Sequence, residues 1–342
     1  MDMQSALKAL TQRRDLSRSE MQDVMTIIME GEATPAQIGA FLVALNMKGE
    51  TVNEITGAAT VMRGFAAKVD AKASNIVDCV GTGGDGAGLF NVSTASALVV
   101  ASAGISVAKH GNRAATGKSG SADLLEAAGV NIALTPAQVA QCIDEIGIGF
   151  MFAPTHHGAT RHAIGPRREI AVRNIFNLLG PLTNPAGARR LLVGVFSSRW
   201  LRPIAEVFHE LGAIHVLVVH SDDDLDEISL AAPTSIAELK QGEITEYSVS
   251  PDDFGLARID DIGDLAVDSA AASLETVMSV LSGVPGPAAD MVALNAGATI
   301  YAADRAESIA DGVKQAREIL REGRAANTLK SLAEFSGNFT AG

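Results

Sequence analysis

The sequence predicts an α/β protein: a mostly parallel central sheet flanked by helices, with a smaller all-helical domain at its amino end. Three observations carry that expectation. Helix start signals recur before each amphipathic run up to about residue 66. From Val69 onward, short apolar strand-like runs alternate with helical patterns. The last stretch, Ser269 to Phe335, is dominated by alanine-rich helical patterning.

In residues 1–68, Ser17 with Glu20, Thr34 with Gln37 and Thr51 with Glu54 each fit a capping box, and Pro35 sits at a first helical position. Gly31 and Gly49 close two of these helices. Ile27, Ile28, Ile38, Phe41, Leu42, Leu45, Ile55, Ala58, Ala59 and Met62 recur at helical spacing and predict a small bundle core. Nothing there carries chemistry, so packing or dimerisation is its natural role. The change of pattern after Val69 predicts an α/β domain over residues 69–342, and the stretch near 168–188 is expected to return to the bundle and complete it.

The α/β part opens with a strand over Asn75 to Val80, followed by Gly81, Gly83, Gly84, Gly86 and Gly88. Glycines here let backbone N–H groups approach an anion without a Cβ in the way. An apolar run from Ala95 to Ala103 predicts a buried helix whose start, near Ser93, adds its free N–H groups to the same spot. Ile105 to Ala108 reads as a second strand, ending in Lys109-His110-Gly111-Asn112-Arg113 and a loop with Lys118. Either motif alone is an ordinary turn or a solvated loop; together, at adjacent strand ends, they suit a phosphate-bearing ligand. Thr135 begins a further helix ended by Gly147, Ile148 to Phe152 is a strand, and Leu191 to Phe196 and Val216 to His220 are two more, joined by a helix from Trp200 to Leu211. Glu243 to Val249 alternates like an antiparallel edge strand.

Composition narrows the function. A formal charge of −13 argues against a general nucleic-acid surface, and no stretch reads as a membrane span or signal peptide, so the chain is expected to be cytoplasmic. Cys79 and Cys142 are its only cysteines, which excludes a disulfide scaffold. His156, His157 and His162 fall within seven residues and invite a metal reading, which the lack of a nearby cysteine or carboxylate set weakens. Asp222, Asp223, Asp224, Asp226 and Glu227 crowd six positions after a strand; they form either a solvated acidic loop or a Mg²⁺ site completed by substrate phosphate.

The segments GTGGDG, NVST, KHGNR and SGSAD resemble the anthranilate phosphoribosyltransferase family, and the resemblance runs over nearly the whole chain. It implies a nucleoside phosphorylase/phosphoribosyltransferase-like fold, Mg²⁺ as cofactor, a homodimer, and two small-molecule substrates, 5-phosphoribosyl 1-diphosphate and anthranilate. By that resemblance Gly81, Gly84, Asp85, Asn91, Ser93, Thr94, Lys109 and Ser121 bind the donor. The substrate-contacting set extends to Leu89, Val92, Gly111, Arg113, Ala114, Ala115, Thr116 and Gly117. Asn112 and Arg167 contact anthranilate, Lys109 and His110 are the catalytic pair, and Ser93, Asp226 and Glu227 hold the metal. Arg167 is expected to introduce a helix running through Pro181. The sequence departs from the family pattern at Leu89, where a threonine is usual, at Asp224, where a glycine is usual, and at Thr160, which is more often bulky. A pyrimidine nucleoside phosphorylase and a nucleic-acid-binding relative share the broad fold; the complete KHGNR with Asp226-Glu227 favours the transferase over the first, and the net charge speaks against the second.

Overall fold

The computed structural model describes residues 1–83, 86–114 and 118–339; Gly84, Asp85, Ala115, Thr116 and Gly117 lie outside the described residues. Four helices open the chain: α1 (Met3–Thr11), α2 (Arg18–Glu30), α3 (Pro35–Lys48) and α4 (Val52–Phe65). The capping boxes expected at Ser17, Thr34 and Thr51 are all formed, each satisfying two otherwise orphaned donors. Glu54 does more than cap. Fully buried, it also accepts hydrogen bonds from the Leu16 N–H and from Lys48 Nζ, both at 2.9 Å, and so ties the starts of α2 and α4 to the end of α3.

Seven strands follow: β1 (Val77–Gly81), β2 (Val107–Gly111), β3 (Ile148–Phe152), β4 (Arg190–Gly194), β5 (His215–Ser221), β6 (Thr234–Lys240) and β7 (Glu243–Val249). They form one sheet in the order β3-β2-β1-β4-β5-β6-β7. The first five are parallel, whereas β6 and β7 are antiparallel additions at one edge. The edge strand over Glu243–Val249 is as expected from its alternation; β6 beside it has no counterpart among the strands that the sequence predicts. β2 begins later than the sequence suggests and runs through Gly111, so that Lys109 and His110 are strand residues rather than loop residues.

Helices cover both faces. In chain order they are α5 (Val92–Ser102), α6 (Ser121–Ala127), α7 (Pro136–Ile146), α8 (Ala153–His156), α9 (Arg161–Ile170), α10 (Phe176–Leu182), α11 (Leu201–Glu210), α12 (Ala270–Leu281), α13 (Pro287–Ala302), α14 (Ile309–Arg321) and α15 (Arg324–Gly337). Strand alternation divides the core: Leu192, Leu217 and Val219 pack with α5, α7 and α12–α15, while Leu191, Val193, Val216 and Val218 pack with α11 and the bundle. α5 is apolar on all sides because it lies between the sheet and α13.

α9 packs on α2 and α3, and α10 on α4, so the chain does return to the bundle after β3. The single helix expected from Arg167 to Pro181 is instead two. Arg167 lies in the last turn of α9, and Ala171, in the left-handed region at φ 48°, ends that helix before α10 begins. Two backbone hydrogen bonds, Ala67 N–H to His156 O (2.8 Å) and Val69 N–H to Pro185 O (3.1 Å), join the segment after α4 to the segments that enter and leave this excursion. No helix of the described residues is long and apolar enough to cross a membrane.

Candidate active site

The site is built at the carboxyl ends of β1, β2, β4 and β5, around the point where the strand order reverses. β1 and β2 pair only at Val77 and Val107, and beyond that register they part. Side chains bridge the gap. Asp78, fully buried in β1, accepts from the His110 N–H at 3.3 Å and from Asn184 Nδ2 at 2.7 Å, while Lys109 Nζ donates to the Cys79 carbonyl at 2.7 Å. Burial pushes the Asp78 carboxyl up to about 6, against the pull of the Lys109 charge and its hydrogen bonds. An acidic residue inside an apolar strand was the visible signal for this bridge, but its partner Asn184, 106 residues away, was not legible.

Consecutive residues of a strand point to opposite sides, and β2 uses that to separate two environments. Lys109 turns toward the start of α5, with Nζ 3.4 Å from Ser93 Oγ. His110 turns toward α10, with Nδ1 3.2 Å from the Gly180 carbonyl and its ring centroid 5.1 Å from that of His157. Because Nδ1–H donates to that carbonyl, Nε2 is left as a bare acceptor, and it is buried without a partner. Burial first, and the neighbouring His157 second, hold the His110 imidazole down to about 3; burial and then His156 hold His157 down to about 4. Both rings are therefore neutral near pH 7.

Arg167 approaches the same helix. Its guanidinium carbon lies 4.8 Å over the Phe176 ring, and Phe176 and Gly180 are four residues apart on α10, one turn or about 6 Å along a single face. Arg167 Nε is buried without a hydrogen-bond partner, and burial lowers the guanidinium pKa from its usual value. A half-buried guanidinium on an aromatic face suits an aromatic carboxylate. His156 and His157 also have unpartnered Nε2 atoms, but among the described residues no cluster of three or more His, Cys, Asp or Glu side chains is arranged to hold a metal ion.

On the other side of β2, Asn91 organises the loop before α5. Its Oδ1 accepts from Ser119 Oγ (2.7 Å) and Ser273 Oγ (2.8 Å), and its Nδ2 donates to the Ser119 carbonyl (3.1 Å). Val92 and Thr94 are buried, the latter with an unpartnered Oγ1, and Ser93 between them is partly exposed. Leu89 forms an antiparallel bridge with Ala266, so the segment around 265–267 covers the far end of the glycine loop. Gly111, Asn112 and Ala114 sit against the start of α6: Ser121 Oγ donates to the Asn112 carbonyl at 3.3 Å, and Asp123 Oδ2 accepts from the Ala114 and Gly120 N–H groups. Arg113 is turned away from the crevice toward α6, where it pairs with Asp123 and Glu126 at 2.9 and 2.8 Å.

The acidic loop after β5 divides by role. Asp223 accepts from Ser221 Oγ (2.5 Å) and Ser229 Oγ (2.6 Å), which keeps it inside the loop, and Asp222 is exposed. Asp224 adopts φ 65°, the left-handed conformation that a glycine would take there freely and that aspartate tolerates among L-residues. Asp226 is buried and turns back to the sheet, where Oδ2 accepts from the Gly83 N–H at 2.6 Å. Glu227 is partly buried, and its charge is felt at the Cys79 thiol, which burial above all pushes up to about 12. Asn295 of α13, fully buried, brackets the next residue through both the N–H and the carbonyl of Ile228.

Comparison with known proteins matches this layout. The description "Glycosyl transferase family, helical bundle domain" fits residues 4–66, and "Glycosyl transferase family, a/b domain" fits residues 73–326. The chain is 59% identical over 338 residues to the anthranilate phosphoribosyltransferase of Thioalkalivibrio sulfidiphilus, covering 99% of this chain and 100% of that protein. It is 55% identical over 341 residues to that of Methylococcus capsulatus, covering 100% of each. The crystal structure of anthranilate phosphoribosyltransferase from Thermus thermophilus superposes with a TM-score of 0.92 at 43% identity, over 97% of this chain and 99% of that one. The Saccharomyces cerevisiae protein of the same name, solved in complex with PRPP and Mg, shares the fold with a TM-score of 0.90 at 24% identity, over 98% of each chain.

Proposed function

The chain belongs to the anthranilate phosphoribosyltransferase family, and from that premise we propose how its own residues carry the reaction. It transfers the phosphoribosyl group of 5-phosphoribosyl 1-diphosphate to the amine of anthranilate, releasing diphosphate, a step of tryptophan biosynthesis. The observation that carries our reading of the site is the split of β2, with Lys109 facing Ser93 and His110 facing Gly180 and His157. We assign the Lys109 side to the donor and the His110 side to the acceptor.

On the donor side, the first N–H groups of α5 meet the diphosphate, and Lys109, itself buried, adds its positive charge beside Ser93. Arg113 serves the loop rather than the donor in this reading, since its guanidinium is already met by two carboxylates. Mg²⁺ fits the remaining donor set: the Asp226 and Glu227 carboxylates and the Ser93 hydroxyl are hard oxygens, and such ions are ordinarily held by one or two carboxylates with phosphate oxygens and water. Bound there, the ion supplies neutralisation of the diphosphate as it leaves. The residues of the chain then do the rest by position. Arg167 holds the acceptor carboxylate, the neutral His110 Nε2 accepts from the arylamine N–H and orients its lone pair, and Lys109 meets the charge that accumulates on the departing diphosphate. An arylamine is a nucleophile without prior deprotonation, so the low basicity of His110 is no obstacle.

We further read residues 1–68 with about 168–188 as one helical domain, residues 69–342 as the rest, and the protein as a cytoplasmic homodimer. The domain reading is supported by the packing of α9 and α10 on the bundle. The dimer reading is supported by exposed apolar side chains at Met47, Ile164 and Val172, on or next to the mutually packed α3 and α9. A single species with the mass of one chain at micromolar concentration would refute it. Two buried free cysteines fit a reducing compartment. The reaction itself is tested by the loss of anthranilate fluorescence with donor and Mg²⁺ present. Consumption that proceeds without donor, or phosphorolysis of a nucleoside instead, would overturn the assignment.

A further inference from the structure

β1 and β4 end in a matched pair of glycines, Gly81 opposite Gly194. Neither has a positive φ, so ordinary strand backbone would accept any residue at either position on conformational grounds. What excludes a side chain is space. A Cβ on Gly194 would lie 1.6 Å from the Asp226 carbonyl oxygen and 2.4 Å from its carbonyl carbon, and a Cβ on Gly81 would lie 2.3 Å from Asp226 Oδ2 and 2.9 Å from its Cγ. The space over the paired ends of β1 and β4 is thus taken by Asp226.

The fit is reinforced around its edge. The Thr82 N–H donates to the Gly194 carbonyl, and Thr82 Oγ1 accepts from the Phe196 N–H, which locks the ends of β1 and β4 together at 3.0 Å each. The Gly83 N–H meets Asp226 Oδ2, and Asn295 brackets Ile228 two residues on. A glycine loop assigned to the donor and a carboxylate loop assigned to the cation therefore share one joint, and that joint rests on two bare backbone positions.

We infer that Gly81 and Gly194 are positioning residues: they form a seat for Asp226 that sets the carboxylate loop relative to the glycine loop, and so couples cation binding to donor binding. The inference rests on the donor and Mg²⁺ reading above. It assigns Gly81 a role distinct from direct contact with phosphate, and it assigns a role to Gly194, which the sequence left unmarked. The two glycines act on different atoms of Asp226. The Gly81 side abuts the carboxylate, which a shorter side chain would remove, whereas the Gly194 side abuts the backbone, which no substitution at position 226 relieves.

That difference supplies the test. Binding of 5-phosphoribosyl 1-diphosphate is measured by calorimetry at stepped Mg²⁺ concentrations without acceptor, and anthranilate binding is measured separately. Supporting residues around metal ligands are worth about 10–100-fold in affinity, so Gly81→Ala and Gly194→Ala should each lose at least about tenfold of the Mg²⁺-dependent donor affinity while anthranilate affinity is kept. In an Asp226→Ala background, Gly81→Ala should add nothing further. Wild-type Mg²⁺ dependence in Gly81→Ala overturns the seat, as does a Gly81→Ala loss that is equally large without Mg²⁺ and persists in Asp226→Ala, because Gly81 would then act on the donor directly. Should Gly194→Ala fail to fold, the Gly81 arm decides alone. A wild type whose donor affinity ignores Mg²⁺ would overturn the site reading and the seat with it, whereas a responsive wild type with equally responsive glycine variants overturns the seat alone.

Discussion

Replacing Arg167 by alanine separates recognition of the acceptor from every other task of the site. The guanidinium lies over Phe176, is half-buried, and has a buried Nε without a partner, so it is a partly desolvated positive charge that can meet a carboxylate. A charge-assisted hydrogen bond lost from such a pair is worth about 1.5–3 kcal/mol. At about 1.4 kcal/mol per decade, anthranilate kcat/KM should fall roughly ten- to hundredfold. Donor KM should barely move. Arg167→Lys should recover only part of the loss, because a point charge lacks the two parallel N–H donors of the fork. The same geometry predicts little effect on stability: Arg167→Met removes a half-buried charge and gives up a cation–π contact of about 0.5–1 kcal/mol, so the melting temperature should hold while activity falls. The assay compares anthranilate with aniline on wild type and variant. Aniline lacks the carboxylate, so it should be a poor acceptor for the wild type and indifferent to the substitution. Equal losses for both acceptors would refute the argument and transfer Arg167 to a role in holding α9 against α10.

Other outcomes follow from the same geometry. Lys109→Ala should raise donor KM and lower kcat with little change in anthranilate KM, and a steady-state matrix of both substrates checks this; unchanged donor kinetics would remove Lys109 from the donor side. Asp224→Gly should leave the Mg²⁺ requirement unchanged and raise stability slightly, since an L-residue in the left-handed region costs up to about 1–2 kcal/mol, whereas Asp224→Val should lower the melting temperature. His110 and His157, held down to about 3 and 4 by burial, bind fewer protons folded than unfolded below the usual value of about 6.5. Their contribution is therefore intact above about pH 6.5 and is lost on acidification, by about 2 kcal/mol per imidazole at pH 5. Asp78, raised to about 6, acts with the opposite sign between pH 6 and 4 and offsets part of that loss. Thermal midpoints from pH 7 to 5 should fall more gently in His110→Asn and more steeply in Asp78→Asn. Parallel profiles for all three proteins would contradict the assignment of these shifts.

Features governed by neighbours in sequence are legible from the residues alone. The capping boxes at Ser17, Thr34 and Thr51 formed because a cap joins a side chain to backbone three residues away. β3 was bounded correctly for a similar reason: an apolar run closed on one side by Gly147 and on the other by Pro154 allows little else. That Lys109, His110 and Asp226 stand at or just after strand ends was also visible, because each follows a short apolar run.

What escaped the sequence depends on partners far along the chain. β6 carries Glu238 and Lys240 in positions that look unlike a central strand, yet Glu238 is satisfied there by His215, Tyr247 and Tyr301. Asp224 looked like a disturbance of its loop, and only the structure showed that its backbone lies in the left-handed region that glycine favours. Arg113 looked like one more cation for phosphate until Asp123 and Glu126 were seen to hold it. Gly194 had no visible function at all, since the need for a missing Cβ arises from Asp226, thirty-two residues on. The sequence by itself determined which chemical groups exist and which helices and strands deliver them, because propensity, capping and periodicity are local. Only the tertiary structure decided which charges were already neutralised and on which face of β2 each group lies. Both are settled by distances between chain segments, and those distances have no counterpart in linear order.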